Sequence, residues 1–333
     1  MNALVTGGGG FLGGAIVRRL AARGDEAASF SRSWHPALEA LGVEQSLGDV
    51  ADAVAVDAAV AGRDIVFHVA AKAGVWGPYV EYHRANVVGT QNVLSACRKH
   101  SVRRLVFTSS PSVVFNGRDM EGVDESIPYP DHYEAAYAKT KAEAERLVLA
   151  ANDSKLATVA LRPHLIWGPG DNQLTPRILE RGRAGKLRRI GRTNKRIDAT
   201  YIDNAADAHI HAADRLAPGS PVAGKAYFIA NGEPIPLWDL VNGILAACGV
   251  PPVTRTIPVW LAYTAGWLME TAYTMLRRRD EPPMTRFVAR ELTTAHWFNL
   301  TAARRDLGYE PEVSSEEGLK RLSKALAPTR GIA

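Results

Sequence analysis

The opening segment "NALVTGGGGFLGGAIVRRLAARG" constrains the fold of this chain more than any other. "NALVTG" reads as a short apolar strand, and "GGAIVRRLAARG" reads as a helix closing on Gly24. Between them Gly7, Gly10 and Gly13 stand at G-x-x-G-x-x-G spacing. The first two allow a tight turn and close approach of a pyrophosphate; the third lets the helix pack against its strand. Backbone amides and the helix dipole then make a phosphate site. Four consecutive glycines can also be a flexible tether, but the strand-loop-helix setting points to a dinucleotide.

The pattern after this segment repeats it. "EAASFSR", "DIVFHVAA", "RRLVFTSS" and "ATVALRP" read as strands, with helices over "HRANVVGTQNVLSACRKH" and "AYAKTKAEAERLVLAAN" between them. Such alternation predicts an α/β, Rossmann-type, doubly wound parallel sheet, with ligands beyond the carboxyl ends of its strands. After about residue 170, Gly- and Pro-rich stretches such as "GVPPVTRTIPVW" shorten the elements. The expected division is a dinucleotide domain over 1–170, with returning segments near 195–232. A smaller, discontinuous substrate-binding and capping region is expected over 171–333. The chain has 333 residues, 46% hydrophobic and 23% charged, enough for a sizeable core.

A net charge of +5 is too small to argue for nucleic acid. Two cysteines, Cys97 and Cys248, both with small or apolar neighbours, read as buried thiols in a reducing compartment. The N-terminal strand begins without a basic n-region, so a cytoplasmic enzyme is expected.

The second strand ends in Ser31-Arg32-Ser33, where an NAD site usually has an acid for the ribose hydroxyls. An arginine among hydroxyl residues suits a 2′-phosphate, so NADP(H) is favoured. NAD(H) stays open if Arg32 only stacks on adenine. Asp49 in "GDV" is a candidate adenine contact, or else a helix N-cap.

The chemistry is expected from "TSSPS" and "YAKTK". Pro111 pushes Ser110 into an extended conformation at the ligand end of a strand. Tyr137 and Lys141 share a helix face, and Tyr137 alone among ten tyrosines has a lysine four residues on. An ammonium near a phenol lowers the phenol's pKa, so Tyr137 could trade a proton with a carbonyl or alcohol near neutral pH. Ser110 could hold the same oxygen.

These motifs, with "HVAA" at His68, "NVVGTQN" at Asn86, "LRPHLIWGPGD", "TYIDNAADAH" and "FNLTAARRDLGYEP", run nearly end to end. Together they resemble the extended short-chain dehydrogenase/reductases, in the group related to 3β-hydroxysteroid dehydrogenases. "AAKAGVWGPYVEYHRANVVGT" and the "IWGPGDNQLTPRI" region are most similar to a branch of bacterial 2-alkyl-3-oxoalkanoate reductases of long-chain olefin biosynthesis. The resemblance implies reduction of a β-keto acid with NADPH, with Ser110, Tyr137 and Lys141 catalytic. It also implies Gly7, Gly10, Phe11, Leu12 and Gly13 on the pyrophosphate, and Val50, Ala70, Ala71 and Pro163 further along the cofactor. Pro111 stands where many relatives have alanine. A homodimer built on two helices per subunit is expected from the same fold family.

On the substrate side, Lys72 and Trp76 could line the pocket mouth, Lys72 meeting a carboxylate or simply being solvated. His164 reads as a packed strand-end histidine or a second acid. The basic run from Arg181 to Arg196 contains no acid and reads as a solvated face, an anionic-substrate site, or a contact with a multi-enzyme partner or an acidic membrane. "IPVWLAYTAGWLMETAYTMLRRR" (257–279) reads as a buried or lid helix rather than an interfacial one; Glu270 and three threonines argue against a span. It would wall a pocket for alkyl chains or for steroids. The rivals are therefore a 3β-hydroxysteroid or sterol-4-carboxylate dehydrogenase using NAD, a sugar-nucleotide epimerase, and a cofactor-binding scaffold without turnover.

Overall fold

The computed structural model describes residues 1–326. Its centre is a seven-stranded sheet. In chain order the strands are β1 (Asn2–Thr6), β2 (Glu26–Ser31), β3 (Glu44–Leu47), β4 (Ile65–His68), β5 (Arg104–Thr108), β6 (Ala157–Pro163) and β7 (Lys225–Ile229). All pairs are parallel, in the order β7-β6-β5-β4-β1-β2-β3. The chain winds outward from β1 in both directions, and the crevice at that reversal opens beyond the strands' carboxyl ends.

Both faces of the sheet are covered, so its strands read as continuous apolar runs. Alternation decides which core each residue joins. Ala3 and Val5 enter one hydrophobic cluster and Leu4 the other; Val106 enters the first, Leu105 and Phe107 the second. Helices α1 (Phe11–Ala22) and α6 (Ile202–Arg215) cover the first face, where Arg19 pairs with Asp203 and Asp207. Helices α2 (Ala53–Val60), α3 (Gly89–Lys99) and α4 (Ala136–Ala150) cover the second. The helical run before α3 starts at Tyr79, behind Pro78, and passes through a π turn over Arg84–Val88. That is earlier than the periodicity predicts, because a proline N-cap replaces the usual polar signal.

The remaining elements surround the carboxyl edge: α5 (Leu174–Arg183), α7 (Leu237–Ala247), α8 (Val259–Met275), α9 (Arg286–Glu291) and α10 (Ser315–Leu326). A four-stranded sheet ties them to the Rossmann layer. It joins Ile235–Pro236, Arg196–Ile197, His296–Phe298 and Met120–Val123. The capping region expected over 171–333 is described as far as Leu326, and residues 327–333 lie outside the described residues.

Helix α8 corrects the buried-helix expectation. Only Ala262 and Gly266 are buried, while Trp260 is 68% exposed and Trp267 50%. Gly266 lies against the backbone at Thr285 and Arg286, where a Cβ would come within 2.7 Å. Glu270, which looked like an interruption, is on the packed side: it accepts Arg286 N at 2.7 Å and pairs with the guanidinium at 2.6 Å. The polar residue anchors the helix, and the two tryptophans face out. No described helix is long and apolar enough to cross a membrane. Cys97 is buried, and burial pushes its thiol up to about 12; Cys248 is only half-buried, at the carboxyl end of α7.

Candidate active site

The glycine loop is a cradle that side chains would fill. Gly7 has φ +71°, and a Cβ there would meet the backbone of Ala70 at 3.0 Å. A Cβ on Gly13 would lie 2.1 Å from the Gly7 carbonyl oxygen, so the third glycine packs on the loop itself. Gly10 is the N-cap of α1 with no side-chain cap, which leaves the first-turn amides for an anion. A dinucleotide pyrophosphate fits this geometry. The ring of His35 lies against Gly9, a neighbour of the phosphate loop that sequence reasoning missed.

One cleft of about 1340 Å³ collects most of the predicted positions. Gly7, Gly10, Phe11, Leu12, Gly13, Ser31, Arg32, Asp49, Val50, Ala70, Ala71 and Pro163 line its cofactor side. Ser110, Tyr137 and Lys141 line its centre, and Lys72 and His164 also face it. Trp76 does not. Its indole donates to the Arg278 carbonyl at 3.3 Å and stands edge-on to Tyr273, bracing α8.

At the end of β2, the Ser31 hydroxyl accepts Gly9 N at 3.2 Å. Arg32 is exposed and has no ion pair among the described residues, so its charge is available to a phosphate. Asp49 is occupied: it accepts Ala51 N at 3.0 Å and pairs with Arg84 at 3.3 Å. The N-cap of α2 is Asp52. Lys72 is also occupied, since its ammonium pairs with Glu81 at 3.0 Å. It is not an unpaired cation awaiting a carboxylate.

Ser110 is extended (φ −160°, ψ 148°), and Pro111 starts a 3-10 turn behind it. The Ser110 hydroxyl accepts Ser112 N at 3.2 Å, so the Ser-Pro pair acts as N-cap and first residue of that turn. Tyr137 stands in the first turn of α4, its phenol close enough to the Ser110 hydroxyl for that group to favour phenolate. Burial dominates, however, and the Tyr137 pKa lies above its usual value. This corrects the expectation that Lys141 lowers it. The Lys141 ammonium donates to the Thr108 carbonyl at 2.5 Å and lies 4.0 Å from the Phe107 ring centroid. Burial brings Lys141 down to about 7, with Glu145 opposing the change. The cation is committed to holding the end of β5.

Beneath Lys141 lies a buried ion pair that sequence reasoning missed. The Arg162 guanidinium donates to both Glu145 oxygens, at 2.6, 3.0 and 3.3 Å, and the Tyr129 hydroxyl donates to the same carboxylate at 2.6 Å. Asn86 is buried too; its side chain bonds both backbone groups of Lys72 and the Thr140 hydroxyl. It clamps the loop after β4 to α4. Asn86 and Arg162 had a signal, inside "NVVGTQN" and "LRPHLIWGPGD", though nothing local announced their partners; nothing marks Glu145.

A nucleotide loop, a serine and a tyrosine on one cleft, and an apolar chamber beyond them limit the choice of family. Residues 4–259 match the model of the "3-beta hydroxysteroid dehydrogenase/isomerase family". The chain belongs to this family. It is an extended short-chain dehydrogenase/reductase, an oxidoreductase whose fold takes a nicotinamide dinucleotide.

Within the family it is 55% identical to the 2-alkyl-3-oxoalkanoate reductase of Stenotrophomonas maltophilia (strain K279a), over 98% of this chain and 100% of that one. It is 50% identical to the enzyme of the same name from Shewanella oneidensis, over 98% and 86%. A 3 beta-hydroxysteroid dehydrogenase/Delta 5-->4-isomerase of Mycobacterium tuberculosis is 37% identical, over 95% and 88%. Among solved structures, the UDP-glucose 4-epimerase of Thermus thermophilus in complex with NAD superposes with a TM-score of 0.74. The match covers 100% of both chains at 24% identity, a likeness of fold.

Proposed function

We propose that this oxidoreductase reduces the 3-oxo group of a 2-alkyl-3-oxoalkanoic acid to the 3-hydroxy acid, with NADPH as reductant. The observation that carries the reading is the meeting of Ser110 and Tyr137 where the cofactor side of the cleft passes into an apolar chamber. Leu165, Ile197, Trp238, Val241, Phe287 and Leu292 line that chamber, a surface for alkyl chains rather than sugars. The 55% identity to a reductase of this name supports the same substrate class.

When bound, the dihydronicotinamide supplies the hydride for the carbonyl carbon. Tyr137 gives its proton to the developing alkoxide, and a phenol held above its usual pKa by burial is protonated and ready to donate. Ser110 donates a hydrogen bond to the same oxygen. Lys141 keeps the strand end that carries Ser110 in place and, when protonated, brings positive charge to the phenol and the cofactor ribose. Arg32, with Ser31 beside it, takes the 2′-phosphate of NADPH. With Lys72 paired to Glu81, Arg84 to Asp49 and Arg177 to Glu281, Arg181 is, beside Arg32 at the cofactor end, a cleft arginine without an acid among the described residues. It is assigned to the substrate carboxylate.

The test is oxidation of NADPH and of NADH in parallel with a long-chain 2-alkyl-3-oxo acid. Arg181→Ala should raise KM for the acid by about tenfold, the worth of one charge-assisted bond, while leaving the KM for NADPH alone. The steroid reading keeps a specific support, the 37% identity to a steroid dehydrogenase, and predicts NAD reduction by a 3β-hydroxysteroid. The outward-facing aromatics of α8 support a cytoplasmic enzyme that can rest on a membrane surface. A homodimer is proposed from the fold family alone.

A further inference from the structure

Three electron-pair donors, two imidazoles and a carboxyl, meet at the wall of the cleft. His164 Nδ1 faces the Asp198 carbonyl at 2.9 Å, and a carbonyl only accepts, so the proton is on Nδ1. That leaves His164 Nε2 as a bare lone pair; it is buried and has no partner. The residue itself is only 5% exposed. The Thr294 hydroxyl donates to the Arg290 carbonyl at 2.8 Å, which uses its one proton. It therefore accepts from His296 Nε2, 2.7 Å away, and His296 Nδ1 is the second bare lone pair. Glu291 brings the third: its Oε2 is 3.6 Å from His296 Nδ1. One ligand atom from each of the three residues lies within 4.8 Å of the other two.

Lone pairs converging in a poorly solvated wall repel unless a cation or a shared proton sits among them, and a cation serves all three at once. We infer that His164, Glu291 and His296 form a site for a divalent transition metal of the zinc class. Two imidazoles and one carboxylate are a ligand set that holds zinc and leaves a further position open. The outer groups agree with this. Each histidine gives its other N–H to an oxygen, His164 to a carbonyl and His296 to a hydroxyl, which fixes ring and tautomer as a metal ligand requires. Tetrahedral zinc separates its ligand atoms by about 3.3–3.6 Å. The His296–Glu291 separation of 3.6 Å already matches, and binding would draw His164 in from within 4.8 Å.

Three elements far apart in the chain supply the ligands. His164 follows β6, Glu291 ends α9, and His296 belongs to the small sheet, hydrogen-bonded through its carbonyl to Asp198 N at 2.8 Å. A metal here would clamp the cap to the Rossmann layer beside the chamber, with its open position on the cleft. The site stands whatever the substrate is.

The experiment uses full-length protein stripped with a chelator and titrated with zinc sulfate against a chromophoric competitor. Cobalt(II) is used in parallel for its visible absorption, and NADPH binding is the control for folding. The expected result is one equivalent of zinc with micromolar or tighter affinity, an intense four-coordinate cobalt spectrum, and a rise in Tm on loading. His296→Ala and Glu291→Gln should each weaken binding by about tenfold or more while retaining NADPH binding. Absence of saturable binding overturns the site and leaves a proton on Glu291 as what the lone pairs share. Binding that both variants keep at full affinity overturns it equally.

Discussion

The cofactor half and the cap of this molecule are built from different kinds of information. In the cofactor half, β1, the glycine loop and α1 all lie between Asn2 and Ala22 and carry their own geometry. The conformation of Gly7 and the closeness of Gly13 to the Gly7 carbonyl follow from that local pattern. In the cap, the decisive contacts are long-range. Glu270 reaches Arg286, Asp198 takes amide bonds from Gly232 and Glu233, and His164 meets Glu291 and His296 from distant parts of the chain. Local pattern makes a binding loop; only packing makes a specificity pocket.

Removing Tyr137 should give the largest effect of all. Tyr137→Phe is expected to lower kcat by about 10²–10⁴-fold in steady-state assays. Because the Gly-loop cradle is untouched, NADPH affinity by fluorescence titration should hold. Near wild-type turnover would remove the chemistry from this cleft.

The next variant strikes the packing of α4 on β6, inside the cofactor half. Glu145→Ala leaves the Arg162 guanidinium buried without its carboxylate, a loss of about 3–5 kcal/mol. Urea unfolding should show it as a lower midpoint; a midpoint within error of wild type would mean that the pair is solvated. Smaller again is Arg32→Ala, which should cost NADPH affinity about 10–100-fold, the worth of a charge-assisted bond, and leave NADH nearly unchanged. Equal losses for both cofactors would make Arg32 an adenine-stacking residue.

A pH series tests Lys141. Its pKa falls from 10.5 in the unfolded chain to about 7 in the fold, so above pH 7 the unfolded state binds the extra proton. Stability then rises with pH from about 7 toward 10.5, and below 7 this group contributes no slope. The cofactor-free protein should therefore gain stability from about pH 7 to 9 relative to Lys141→Met. Parallel curves would mean that Lys141 keeps its proton. Trp76→Ala should leave KM for the acid close to wild type, because the indole braces α8 outside the cleft; a clear rise in KM would return Trp76 to the pocket mouth.

How far each region could be read from the sequence follows the same division. The sheet, the phosphate loop and the Ser110, Tyr137 and Lys141 positions were legible because each belongs to a motif tied to one turn or one helix face. The electrostatics among them were not. Lys141 donates to the Thr108 carbonyl, a backbone partner that residue types do not announce. Lys72 looked free in its loop until the helix before α3 delivered Glu81. Glu270 looked like a flaw in an apolar helix because its partner comes from a later segment. In sequence His164 reads as a packed strand-end histidine or a second acid, and nothing marks Glu291 or His296; only the fold puts their lone pairs together.

The most direct test of the central claim follows nicotinamide absorbance with purified protein and a long-chain 2-alkyl-3-hydroxy acid, supplied with NADP or with NAD. Reduction of NADP, abolished by Tyr137→Phe and weaker with NAD, is the predicted result. Silence with this acid and rapid reduction of NAD by a 3β-hydroxysteroid would contradict the account. The cleft would then belong to a sterol, and Arg32 would have no phosphate to bind.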